Sequence, residues 1–97
     1  PKSEPSHQVK KRVDYARNIQ LSRQGGSNHI MSTDSIDQFC ILTNEANKLL
    51  ASITKTKNLS ARSIQKIRKV ARTCADLAGE EQLNEGHIGE AIQLRYQ

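Results

Sequence analysis

Apolar residues along this 97-residue chain recur at three- and four-residue intervals, and no stretch alternates with period two. Helices are therefore predicted throughout and strands are not. A first helix is predicted from a Ser6 cap to about Arg23, with Val9, Val13, Ala16 and Ile19 as its apolar stripe. That stripe is too thin to hold a helix by propensity alone, so it requires docking surface from the rest of the domain or from a partner. Gln24-Gly25-Gly26-Ser27-Asn28 reads as a stop followed by a flexible link, and residues 1–5 as a flexible lead. A short helix is predicted from Thr33 to Cys40, with Ile36, Phe39 and Cys40 inward.

Thr43 is placed to cap a third helix in which Ala46, Leu49, Leu50 and Ile53 join Leu42 as core, closed by Lys55 near the carbonyl end. Ser60 caps a long fourth helix. Spaced at 100° per residue, Ile64, Ile67, Val70, Ala71, Cys74, Ala75, Leu77 and Ala78 fall on one side of it, and Arg62, Lys66, Arg68, Lys69 and Arg72 on the other. Gly79 is the expected left-handed residue after that helix. Asn84 caps a last helix holding Ile88, Ala91 and Ile92, with Arg95 in its final turn. The expected fold is all-α, a small bundle of four to five helices over residues 6–96.

Charge changes this picture by region. Residues 1–27 carry six basic and two acidic residues, and 60–79 carry five and one, so each is +4. Residues 28–59 are neutral, and 80–97 are −3, within a total of +5. Two basic regions and an acidic tail suit a nucleic acid, a nucleotide or an acidic neighbouring subunit, without choosing among them. At this length there is room for one core and no second catalytic domain. Cys40 and Cys74 lie far apart inside apolar stretches, and His7, His29 and His87 fall in separate segments. No metal site or disulfide framework is therefore expected. The longest apolar runs are a few residues, so no membrane span is expected, and the polar lead is not a signal peptide; a cytoplasmic protein is expected.

No GxxxxGK[ST] loop is present, and Gly25-Gly26 follows no strand, so the chain lacks the parts to hold a nucleotide alone. Glu80-Glu81 reads as a solvated acidic loop rather than an acid/base pair, and nothing suggests a self-contained enzyme. What does stand out is Asn58-Leu59-Ser60-Ala61-Arg62-Ser63, which places an arginine in the first turn of a helix. Free N–H groups and the positive end of the macrodipole already favour an anion there, and a guanidinium adds a fork that fits phosphate oxygens. The plainer alternative is that Arg62 pairs with a carboxylate or lies in solvent.

Arg12-Val13-Asp14-Tyr15-Ala16-Arg17-Asn18-Ile19-Gln20 resembles the RVxxARxxQ helix of the magnesium-chelatase-like AAA+ proteins of bacteria, the competence-related ComM/YifB type. Leu59-Ser60-Ala61-Arg62-Ser63, running on through Val70-Ala71-Arg72-Thr73-Cys74-Ala75-Asp76-Leu77-Ala78-Gly79, is similar to that family's LSAR…ILKVARTIADLAG signature. His87-Ile88-Gly89-Glu90-Ala91-Ile92-Gln93-Leu94-Arg95 is similar to its closing HLxEAIxYR helix. The resemblance runs from about Ser6 to Arg95. Ile64-Gln65-Lys66-Ile67-Arg68 departs from the usual histidine and leucine choices, and Pro5 interrupts the small-residue lead.

The resemblance implies the C-terminal helical lid of a hexameric AAA+ ATPase, with ATP and Mg2+ bound by an upstream ATPase domain and none by this fragment. It also implies that Arg62 stands at the sensor 2 position, touching the γ-phosphate of ATP. Arg68 and Arg72 are further candidates for nucleotide contact, against the alternative that they lay their stems over the core with their heads in water. Arg12 and Arg17 are candidates for contact with the ATPase domain or a neighbouring subunit. The parent is expected to be a branch-migration helicase of recombination or natural transformation, with DNA as a partner. Metal chelation is the other output of the same architecture. The competing reading is a free-standing basic helical DNA-binding module, with residues 60–79 as its recognition helix; the Lys-rich link before Ser60 and the near absence of aromatic residues weigh against it.

Overall fold

The computed structural model describes residues 6–96, with side chains from 9 to 95; the expected flexible lead lies outside the described residues. Five α-helices are found there: α1 (Ser6–Gln24), α2 (Thr33–Phe39), α3 (Asn44–Lys57), α4 (Ala61–Ala78) and α5 (Glu85–Tyr96). A single 3-10 turn, Asn28–Ile30, lies between α1 and α2. The all-helical class holds. No strand occurs among the described residues, which contain one isolated parallel bridge, Leu42 to Leu83. In it the Leu83 N–H donates to the Ile41 carbonyl at 2.8 Å, and the Thr43 N–H to the Leu83 carbonyl at 3.0 Å. The α2–α3 and α4–α5 connections are thereby fastened to each other.

Helix ends follow local chemistry. Thr43 Oγ1 accepts from the Ala46 N–H at 3.1 Å, and Ser60 Oγ accepts from the Ser63 N–H at 3.1 Å, as their cap positions require. Gly79, at φ 73°, ends α4, and the Glu80 N–H reaches back to the Ala75 carbonyl at 2.8 Å. One end differs from expectation, since Ser6 is the first residue of α1 rather than its cap. α2 begins at Thr33 as expected, with Ser32 as its cap, and α3 keeps Lys55 in its last turn and closes on Asn58. Asn58 adopts the left-handed conformation at φ 52°, where its short polar side chain is tolerated.

The core is built around α4, against which α5, α1, α2 and the 3-10 turn pack, while α3 packs on α5. Ile67, Ala71 and Ala75 of α4 meet Met31, Ile36, Cys40, Ala46, Leu50, Leu83, Ile88 and Ala91 in one buried cluster. The alanines let backbones approach closely. On α1 the expected stripe is corrected: Ala16 is buried, but Val9 and Val13 each remain 39% exposed, and Gln20, a polar residue, is buried instead. α1 docks through polar contacts as much as apolar ones. The segment read as a flexible link is ordered, with Asn28 buried at the start of its 3-10 turn.

Candidate functional site

The Ser60 cap opens α4 with its first backbone N–H groups facing outward, and Arg62 stands in that first turn. It is exposed and, among the described residues, makes no hydrogen bond or ion pair. Its charge is available to a ligand or partner. The neighbouring Ser63 hydroxyl accepts from Arg95 Nη2 at 3.3 Å, which brings the end of α5 beside the start of α4. Lys66, one turn further along, is exposed as well.

The other end of α4 is organised in the opposite way. Arg72, assigned to the polar face by helical spacing, is 2% exposed, and this placement is a correction. Its Nε donates to Asp76 Oδ1 at 3.1 Å, Nη1 to the carbonyls of Phe39 at 2.9 Å and Glu81 at 2.7 Å, and Nη2 to the Glu80 carbonyl at 2.6 Å. The reason is geometric: α2 ends and the α4–α5 loop turns beside this point, and both leave carbonyls with no helical partner. A guanidinium supplies donors to several of them at once. Burial pushes the Arg72 guanidinium below its ordinary value, against the opposing charge of Asp76.

Asp76 is the hub of this buried network. Arg23 of α1 forks onto it with Nη1 and Nη2, each at 3.0 Å. Asn28 Nδ2 donates to Asp76 Oδ2 and to Thr73 Oγ1, both at 2.9 Å. Asn28 is itself held, since its N–H donates to Gln20 Oε1 at 3.0 Å and its Oδ1 accepts from Arg23 at 2.8 Å. Burial works to raise the Asp76 carboxyl, but the hydrogen bonds from Arg23 and Asn28 and the charge of Arg72 overcome it, leaving the group below the usual carboxylate range. Arg23 also lies over the Phe39 ring, 5.6 Å from its centroid.

Arg68 is intermediate between the two arginines. Its Nη1 meets Asp37 Oδ1 at 3.4 Å, and its Nη2 donates to the Cys40 carbonyl at 3.0 Å and the Ile36 carbonyl at 3.5 Å. It serves the end of α2. Arg12 and Arg17 are exposed on α1; Arg17 lies 3.9 Å from Asp14 in a surface pair. Arg62, Arg68 and Arg72 are thus not brought together: one faces outward, and two are engaged by the protein itself.

Sequence reasoning missed Asp76, Arg23, Asn28 and Gln20. One signal was available, because Arg72 and Asp76 form an opposite-charge i,i+4 pair interleaved with Ala71 and Ala75. Small residues on both sides leave room for a buried ion pair. Arg23 and Asn28 gave no such sign, since they join from about 50 residues away. Both cysteines are free thiols, and burial, aided by Glu90, pushes Cys74 up to about 11, so it stays protonated and unreactive near neutrality. Among the described residues no group of three His, Cys, Asp or Glu side chains could hold a metal ion, and no helix is long and apolar enough to cross a membrane.

Fold and site together define a small all-α domain with an exposed arginine, Arg62, in the first turn of α4, the helix around which its core is built. The chain belongs to the family described as the C-terminal domain of the magnesium chelatase subunit ChlI, whose model matches residues 3–95. It is 35% identical over 94 residues to "Competence protein ComM" of Haemophilus influenzae, covering 97% of this chain and 18% of that protein. Over 92 residues it is 37% identical to "Uncharacterized protein YifB" of Escherichia coli, covering 95% of this chain and 18% of that protein. A YifB of Salmonella typhimurium matches at 35% over 94 residues. The chain spans less than a fifth of the length of these relatives.

Proposed function

We propose that residues 6–96 are the lid of an AAA+ ATPase and that Arg62 is its phosphate sensor. In this reading ATP and Mg2+ are held by an upstream ATPase domain within a hexamer, and each lid meets one γ-phosphate. The observation that carries the reading is the contrast among the arginines of α4. Arg68 and Arg72 donate to acceptors of their own domain, whereas Arg62 has none among the described residues. A guanidinium without an internal partner, beside helix N–H groups, suits the oxygens of a γ-phosphate. When that phosphate leaves, the contact is lost and the lid is released, the logic of other switch elements held by a γ-phosphate.

The nucleotide fits this chain only in part. Arg62 would contribute one contact, while the phosphate loop and the base pocket must come from elsewhere, because this chain supplies neither. Arg68 and Arg72 are reassigned to holding the domain together. Arg12 and Arg17, exposed on α1, are retained as contacts to the ATPase domain or a neighbouring subunit of a hexamer. In the same reading the parent acts on DNA during natural transformation or recombination, as a branch-migration helicase in the cytoplasm, and the Haemophilus relative is named a competence protein. A free-standing DNA module with residues 60–79 as recognition helix is disfavoured, since α4 is covered by α1, α2, α5 and the 3-10 turn and cannot lie in a groove.

The test is ATP turnover by the full-length protein with Arg62→Ala. Turnover should fall by at least about tenfold, the scale of losing one charge-assisted contact in the transition state, with the melting temperature unchanged. Unaltered turnover would refute the sensor role.

A further inference from the structure

Beside the buried Asp76 network lies a depression of about 430 Å³ shared by α1, the end of α2 and the α4–α5 loop. Two of the chain's three aromatic residues, Tyr15 and Phe39, line it. Its apolar lining is open: Tyr15 is 55% exposed and Ile41 52%, with Ile19 and Phe39 half-buried beside them. Single exposed apolar side chains need no explanation, but separate elements presenting theirs to one depression mark a contact surface. Ile41 is held there because its carbonyl accepts from the Leu83 N–H at 2.8 Å, which draws the α4–α5 loop alongside. Charge is divided across this surface. On the loop side Glu80 and Glu81 are exposed, and among the described residues neither carboxylate makes a hydrogen bond or ion pair. On the α1 side Lys11 stands one turn before Tyr15 on the same helix face, exposed and equally without such a partner among the described residues. Arg23 and Arg72 also reach the depression, but their guanidinium groups are turned to Asp76, Asn28 and backbone carbonyls. The three exposed charges set the pattern at the surface.

We infer that two copies of this chain associate through this surface in a two-fold, isologous contact. A patch that is acidic on one side, apolar in the middle and basic on the other is complementary to itself under a two-fold rotation. Lys11 of each copy then faces Glu80 and Glu81 of the other, while Tyr15 and Ile41 close over the opposite depression. A basic partner would suit the two glutamates but set a like charge against Lys11, and an acidic partner would do the reverse. A second copy satisfies both signs at once. Arg62 lies at the other end of α4, and a two-fold contact pairs two domains without closing a ring. The inference therefore stands apart from the sensor reading and from the subunit contacts given to Arg12 and Arg17.

The experiment is sedimentation velocity of the 97-residue chain at concentrations rising to about 1 mM, because a surface this small should give a weak dimer. Monomer should pass to dimer and no further. Lys11→Glu, or Glu80→Lys/Glu81→Lys, sets like charges against each other on both flanks and should weaken association more than about tenfold. Tyr15→Ser should do the same by removing the central anchor. The two charge variants should pair with each other, since every flank again meets its opposite sign. Fluorescently labelled Glu80→Lys/Glu81→Lys should therefore shift to dimer on addition of Lys11→Glu, and far less on addition of Lys48→Glu, the same charge change at an exposed position of α3. Equal shifts would mean attraction by net charge only and would overturn the surface. A chain that stays monomeric throughout overturns the proposal and leaves the depression to another part of the parent, and species larger than a dimer would overturn the two-fold arrangement. Far-ultraviolet circular dichroism of each variant checks that the fold is retained. Arg62→Ala should associate as the unaltered chain does, so failure of the dimer leaves the sensor reading standing.

Discussion

Arg62 and Arg72 stand on the same helix, ten residues apart, and meet opposite fates. At the start of α4 the guanidinium faces outward and has no partner among the described residues. Near its end the same group is 2% exposed and donates to one carboxylate and three carbonyls. What separates them is the surroundings: Arg62 stands on an exposed side of the first turn of α4, whereas Arg72 faces Asp76, the end of α2 and the α4–α5 loop. A basic helix is therefore two devices. One end leaves its guanidinium exposed, and the other ties α4 to the elements around it.

The largest expected effect breaks this contrast directly. Arg72→Ala leaves Asp76 with fewer donors and strands three carbonyls, and Asp76→Ala leaves the buried Arg72 and the half-buried Arg23 as neighbouring like charges. Removing one partner of a buried pair costs about 3–5 kcal/mol, which in a domain of this size lowers the melting temperature by more than about 10 °C. Arg72→Lys should recover little, because an ammonium cannot reproduce the fork. Arg62→Ala, at an exposed position, should shift melting by no more than a few degrees. Thermal melts followed by circular dichroism compare the set. If Arg62→Ala proves as damaging as Arg72→Ala, the division of α4 into a free and a committed end fails.

A smaller effect sharpens the comparison by probing how the committed end reaches α1. Asn28 joins Gln20, Arg23, Thr73 and Asp76, yet carries no charge. Asn28→Ala should cost about 1–3 kcal/mol, the range for leaving buried polar groups unsatisfied. It should also raise amide hydrogen exchange in α1 more than in α3, since α1 packs on α4 through this network and α3 does not. Uniform exchange across the helices would mean that Asn28 does not govern the docking of α1.

These two regions also differ in how far the sequence discloses them. The caps Thr43, Ser60 and Gly79 and the inward run Ile67, Ala71, Ala75 are legible because each depends on neighbours within a few residues. The position of Arg62 is legible for the same reason. The 3-10 turn is not: Gly25-Gly26 reads as a flexible break, and only the bonds from Gln20, Arg23, Thr73 and Asp76 give Asn28 its fixed place. Helical spacing assigns Arg72 to solvent because it counts polarity and not the carbonyls that α2 and the loop present to it. Arg95 looks ordinary in sequence, and only the fold sets it beside Ser63 at the start of α4. Local signals fix elements, while long-range polar contacts decide which charges remain free.

The smallest expected effect concerns pH, and it too belongs to the committed end. His87 opens α5 in a reciprocal cap: its N–H donates to Asn84 Oδ1 at 3.0 Å, and its Nδ1 accepts from the Asn84 N–H at 3.0 Å. Nδ1 must be unprotonated to accept. Burial pushes His87 below its ordinary value of 6.5, with Glu80 opposing and Arg72 assisting. Because the folded value lies below the unfolded one, this contribution is fully present above about pH 6.5 and is lost as pH falls through that value toward the folded one. Asp76 is also depressed, so its contribution persists to lower pH and is lost only below the usual carboxylate range. Melting temperature should therefore decline in two steps on acidification, a shallow one beginning near pH 6.5 and a steeper one near pH 4 and below. His87→Gln keeps a side chain suited to that cap position but cannot titrate, so it should erase the first step and leave the second. Should the shallow decline persist in His87→Gln, the proton is taken up elsewhere and the cap is not its origin.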